Sequence, residues 1–125
     1  YMSFLMGSVP DGSAAANVLS RSSLTERWRG VVALPGETPG LGRGMMGLTY
    51  FLYEPQGRQI VGHTGTQRAF YSFFVLDPEA KVAALVAFNS GGVDGGGPDT
   101  DAIRVEVRAR IVEEVFPEVV SGQGG

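Results

Sequence analysis

Two apolar runs joined by a four-residue turn constrain this chain more than any other feature. Phe70–Leu76 reads FYSFFVL and Val82–Phe88 reads VAALVAF. Each is strand length, and neither alternates polar with apolar residues, which is the pattern of strands covered on both faces. Between them stands Asp77-Pro78-Glu79-Ala80. Proline presets φ for a turn, and an aspartate carboxylate can accept a backbone N–H two residues on, so this segment is a hairpin connection. Upstream, Arg58–Gly62 is a short strand candidate that runs into His63-Thr64-Gly65. Met45–Tyr53 is another, closed by the turn chemistry of Glu54-Pro55-Gln56-Gly57. Connections of about four residues favour antiparallel neighbours. The expectation is a four-strand antiparallel meander.

The rest of the chain supplies helices to flank it. Tyr1–Met6 (YMSFLM) reads as the last turns of a helix closed by Gly7. It opens inside an element, which points to a longer polypeptide. Ser8–Asn17 is a small, polar loop. Ser20 and Ser23 both suit a helix N-cap, and Ser23 with Glu26 makes a capping box. A helix is expected over Arg21–Arg29, stopping at Gly30, with Leu24 and Trp28 as its buried stripe. Trp28 reads as core rather than as a ligand-stacking platform. Val31–Gly44 (VVALPGETPGLGRG) carries two prolines and four glycines and reads as a long surface loop, either a plain connector or a functional loop. Residues 91–100 form a Gly-rich loop. No Gly-Lys-Ser/Thr follows it, so it does not read as a phosphate cradle. Asp101–Phe116 fits both the strand and the helix period, but sixteen residues is long for a strand. Asp99, Thr100 and Asp101 supply caps, so a helix is expected there, ended by Pro117, with 118–125 a frayed tail. Residues 1–125 then form a single partial domain of α+β class.

Composition narrows the function classes. At 125 residues the chain is one domain or part of one, and 43% hydrophobic with 18% charged residues is a globular balance. A net charge of −3 without a basic stripe argues against nucleic acid as a partner. There is no cysteine and only one histidine, which argues against disulfides, thiolate metal sites and zinc, and no cofactor is expected. No apolar run approaches the roughly 18 residues that a membrane span needs. The compartment is not legible.

Gly62-His63-Thr64-Gly65, the aromatic strand after it, Asp77-Pro78-Glu79, the second apolar strand and Phe88-Asn89-Ser90 together resemble the C-terminal part of the serine β-lactamase and penicillin-binding-protein superfamily. The resemblance is to its class C β-lactamase-like branch of esterases and D-Ala-D-Ala carboxypeptidases, and spans about Leu5 to Phe116. In that superfamily a serine attacks an acyl carbonyl, and Lys-Thr-Gly or His-x-Gly on a strand lines the active site. The resemblance implies that His63 aids substrate binding and proton movement near the leaving group. Thr64 would offer a hydroxyl, and Gly65 would let substrate lie close to the strand. The N–H of Thr66 would be half of an oxyanion hole, a donor worth roughly 10²–10³ in rate. Asn89 would contact a substrate carboxylate. From residue physics alone, His63 reads first as a solvated polar residue at a strand end, and the resemblance is what favours a site role. After the motif, Thr66-Gln67-Arg68-Ala69 departs from the small residues usual in the family, and Arg68 reads either as a carboxylate partner or as a solvated loop charge.

The family's nucleophile motif, Ser-x-x-Lys, is absent from this chain. The residue three after each serine is never lysine, and the only lysine is Lys81. Tyr1-Met2-Ser3 has a permissive form of the family's second motif but stands too near His63. Loss of such a nucleophile costs on the order of 10⁶-fold in a comparable serine enzyme, so the lone chain should be near inert. Two readings follow: the C-terminal segment of a serine hydrolase acting on a β-lactam, peptide or ester through an acyl-enzyme, or a non-catalytic remnant or interaction module. Lys81–Asn89 would form a long apolar sheet edge, an aggregation hazard if bare. The expected partners are therefore a missing N-terminal segment of the same fold or another chain, including a homo-oligomer, together with a small acyl substrate.

Overall fold

The computed structural model describes residues 1–7, 10, 12–67, 70–89 and 100–122. Two short helices come first, α1 (Met2–Leu5) and α2 (Arg21–Arg27). Six strands follow: β1 (Val32–Thr38), β2 (Gly42–Met46), β3 (Phe51–Tyr53), β4 (Ile60–Gln67), β5 (Phe70–Asp77) and β6 (Val82–Phe88). They form one sheet in the order β1-β2-β3-β4-β5-β6, each antiparallel to the next. The C-terminal segment is α3 (Thr100–Arg110), a π-helical turn (Ile111–Val115) and α4 (Phe116–Gly122). The class is α+β, an antiparallel meander flanked by helices. Among the described residues, no helix is long and apolar enough to cross a membrane.

The meander has two more strands than the sequence predicts: β1 comes from the Gly/Pro-rich stretch, and the expected Met45–Tyr53 strand is divided between β2, which that stretch begins, and β3. Val31–Gly44 is not a loop. It folds into β1, a turn and the start of β2. Pro35 is tolerated because β1 lies at the sheet edge and the register slips there: Ala33 pairs with Met45 but Glu37 pairs with Arg43, leaving the intervening β1 residues bulged. Gly36 takes φ +74° within the bulge, and Gly40 takes φ +73° in the turn. Met45–Tyr53 is not one strand either. It breaks at a turn closed by the Gly47 N–H donating to the Tyr50 carbonyl at 2.9 Å.

The unbroken apolar runs are explained by two cores, one on each face of the sheet. Leu5, Met6, Leu24, Trp28, Leu52, Val61 and Leu76 pack beneath α1 and α2. Leu41, Tyr53, Ile60, Phe73, Val75, Val82, Val112 and Phe116 pack beneath the C-terminal helices. Neighbouring residues therefore go to opposite cores: Ile60 and Val61 on β4, Val75 and Leu76 on β5. Covering on both faces holds for β5 through most of its length. It fails on β6, an edge strand whose Leu85 is 65% exposed. Helix α2 starts from Ser20, whose hydroxyl accepts from the Ser23 N–H at 3.1 Å, so the cap is Ser20 and not the Ser23–Glu26 box.

Pro117 does not end the helix, and the reason is a shifted ladder. In the π turn the Phe116 N–H donates to the Ile111 carbonyl, five residues back. In that register the group that would reach the Val112 carbonyl is the N–H of residue 117, which proline lacks. Arg58 takes its place, its Nη2 donating to the Val112 carbonyl at 3.0 Å. The helix then continues as α4 through Gly122, into the stretch expected to fray. Arg58 also lies 3.8 Å from the buried carboxylate of Asp77, which accepts the backbone N–H groups of Glu79 and Ala80 at 3.1 and 2.9 Å. One guanidinium thus ties the β5–β6 turn to the C-terminal helix. Arg58→Met would leave the Val112 carbonyl without this donor and the buried Asp77 carboxylate without this cation. Chemical denaturation is expected to show a loss of about 2–4 kcal/mol.

Candidate active site

The His-Thr-Gly segment lies in the second half of β4. Its support is asymmetric. Against β5 the pairing is continuous, from Val61 opposite Leu76 to Gln67 opposite Phe70. Against β3 it stops early: Phe51 faces Gly62, and no later residue of β4 has a partner in β3. From His63 to Gln67 the strand is therefore held on one edge, and no strand lies on the other among the described residues. In an antiparallel strand alternate residues direct their N–H and C=O groups to each edge, so among the described residues every second backbone pair of this segment faces away from β5 toward an edge with no strand on it.

His63, Gly65 and Thr66 are exposed, and Thr64 is half-buried. The imidazole of His63 stacks on Phe51, ring centroids 5.2 Å apart and planes 5° from parallel. Gly62 brings β4 close to β5: a Cβ there would lie 2.7 Å from the Phe74 carbonyl oxygen, closer than real Cβ atoms approach. Gly65 is also tight, a Cβ there meeting the Ser72 hydroxyl oxygen at 3.3 Å.

The sheet register places the remaining candidates. Thr66 is opposite Tyr71, which is opposite Phe88. Asn89 follows Phe88 and so sits at the same end of the sheet as Thr66 and Gln67, two strand spacings or about 10 Å across it. A shallow cavity of about 310 Å³ opens at this end, lined by Gly65, Thr66, Phe70, Tyr71 and Phe88 among others. His63, Thr64 and Asn89 are not among its lining residues. The guanidinium of Arg104, on α3, lies 4.3 Å from the Tyr71 ring centroid and is ion-paired to Asp101 at 2.7 Å. Arg68 and most of the Gly-rich loop at 91–100 lie outside the described residues. Sequence reasoning singles out His63 but not Phe51, whose contact with it is made through the sheet and leaves no local pattern.

Comparison with known families now decides the class. The family model described as Beta-lactamase matches residues 4–108. The chain belongs to the Beta-lactamase family. Comparison with curated proteins and with solved structures gives no significant match. The assignment makes this β-lactamase-family chain a member of a serine hydrolase superfamily. Its matched region takes in the whole sheet and α3 as far as Arg108.

Gly62 tests the close approach on which the His-Thr-Gly placement rests. In this β-lactamase-family chain, Gly62→Ala would push β4 from β5 at the residue next to His63. Overpacking of this kind costs about 1–3 kcal/mol, to be read by thermal or chemical denaturation.

Proposed function

We propose that this chain forms one wall of the active site of a class C-like serine hydrolase, which hydrolyses a β-lactam, peptide or ester through an acyl-enzyme. The observation that carries the reading is the one-sided pairing of β4: its His-Thr-Gly segment is fixed by β5 and open along the opposite edge. An acyl substrate laid along that edge meets backbone donors already aligned, so little ordering is needed on binding. In this reading the Thr66 N–H is one donor of the oxyanion hole, and a fixed donor at a developing oxyanion lowers the barrier most where water is excluded. Gly65 keeps the strand surface low enough for close approach. His63 moves a proton at the leaving group, and Thr64 supplies a hydroxyl beside it. Asn89 is at the same end of the sheet but across β5 from the open edge, so in this reading a substrate laid along that edge does not reach it. The nucleophile and its lysine come from outside this chain, which contains no Ser-x-x-Lys.

A second reading has its own observation. β6, seven apolar residues with Leu85 projecting, has no strand beyond it among the described residues, which suits strand addition by another segment or chain. In that reading the sheet is an interaction module and His63 does no chemistry.

Labelling with a fluorophosphonate and turnover of a chromogenic β-lactam and a chromogenic ester separate the two. The 13.2 kDa chain by itself is expected to stay unlabelled and inactive. Joined in frame to a segment carrying Ser-x-x-Lys, it should label at that serine, and His63→Ala should then lower kcat/KM by about 10²–10⁴. Labelling of the chain itself would contradict the reading, as would a joined protein that turns over substrate equally well without His63.

A further inference from the structure

The stack of His63 on Phe51 gives a second residue a part in the site. An exposed imidazole with no partner samples several side-chain rotamers, and its torsion to the ring is broad. A group that must move a proton works only when its nitrogen lies within hydrogen-bond reach and in line. His63 is exposed, yet its ring lies flat against Phe51, at 5.2 Å and 5°. Offset parallel packing is one of the two favoured arrangements of such rings, at separations of roughly 4.5–7 Å.

Phe51 is a firm base for this contact. It is half-buried and packs against the core beneath the C-terminal helices. It is also the β3 residue opposite Gly62, the last point at which β3 accompanies β4. It therefore stands where the free edge begins, one side in the core and one ring face turned to His63. Gly62 has no side chain to intervene.

We propose that Phe51 is a positioning residue for His63, holding the imidazole in one plane at the start of the free edge of β4. This rests on the hydrolase reading above. Both imidazole nitrogens lie in the ring plane, so a plane held parallel to Phe51 confines the directions in which His63 donates or accepts a proton. A swing out of that plane would require breaking the stack. Misplacement of a catalytic group by about 1 Å can cost on the order of 10²-fold in rate, so an aromatic clamp on an otherwise exposed histidine is a significant contribution to the site.

The chain has one histidine, which makes the ring signals in a proton NMR spectrum unambiguous. The expected result is nuclear Overhauser contacts between the His63 and Phe51 rings, with the His63 ring protons shifted upfield by the phenyl ring current. Phe51→Leu should abolish both and speed modification of His63 by diethylpyrocarbonate several-fold. Phe51→Tyr, which keeps the ring face, should restore the native shift and rate, while the amide signals of β5 stay in place in both variants. Absence of ring contacts in the native chain would overturn the proposal, as would a Leu variant with native shifts and native reactivity. If Phe51→Leu fails to fold, the native contacts and the Tyr variant still decide the question. The stack is read without any enzymatic assay, so failure of the labelling experiment would remove the hydrolase reading and leave this result standing.

Discussion

The candidate site depends on the pairing of β4 with β5. Seven consecutive residues of β4 are in register with seven of β5, and β6 continues the same register on the far side. This pairing fixes which edge of the His-Thr-Gly segment is occupied and which is open. A slip of one residue would turn every side chain of β4 to the opposite face. Ile60 and Val61 would exchange cores, so the two buried clusters hold the register from both sides. The chemistry proposed for Thr66 and His63 is thus secured by apolar packing at the other end of the same strand.

The C-terminal helix shows how a local rule is overridden when its physical cost is met elsewhere. Proline is excluded from helix interiors because it leaves a carbonyl unpaired and its ring clashes with the preceding turn. Here a π turn moves the unpaired carbonyl to Val112, and Arg58 reaches it from just before β4. The same guanidinium neighbours Asp77, whose carboxylate organises the β5–β6 turn. The strand that carries His63 is thereby linked at its base to the helix that covers one face of the sheet.

The sequence made β4, β5 and β6 legible because their signal is local. Two apolar runs around an Asp-Pro turn leave few alternatives, and β4 is named by its motif. The β1–β2 hairpin was not legible. Pro35, Gly36, Pro39 and Gly40 all read as loop, and what makes them a hairpin is a bulge at a sheet edge and positive φ at glycine. The passage through Pro117 was equally hidden, because the residue that satisfies Val112 is 54 positions away. The motif singles out His63, Thr64, Gly65 and Thr66, which lie on one strand, with Asn89 at the same end of the sheet. Phe51 was not found, since nothing in the spacing of Phe51 and His63 signals that their rings meet. The second core beneath the C-terminal helices was half visible, in the apolar residues of Asp101–Phe116 that fit two periods at once.

The central claim is that β4 from His63 onward is fixed on one edge by β5 and, among the described residues, has no strand on the other. Amide hydrogen exchange along β4 reads this directly, because an amide bonded across the sheet is protected and one facing an open edge is not. Val61 and Gly62, flanked by strands on both sides, should be slow together. From His63 to Thr66, slow and fast amides should alternate. Uniform slow exchange over those four residues would show that the edge is covered, and would contradict the account.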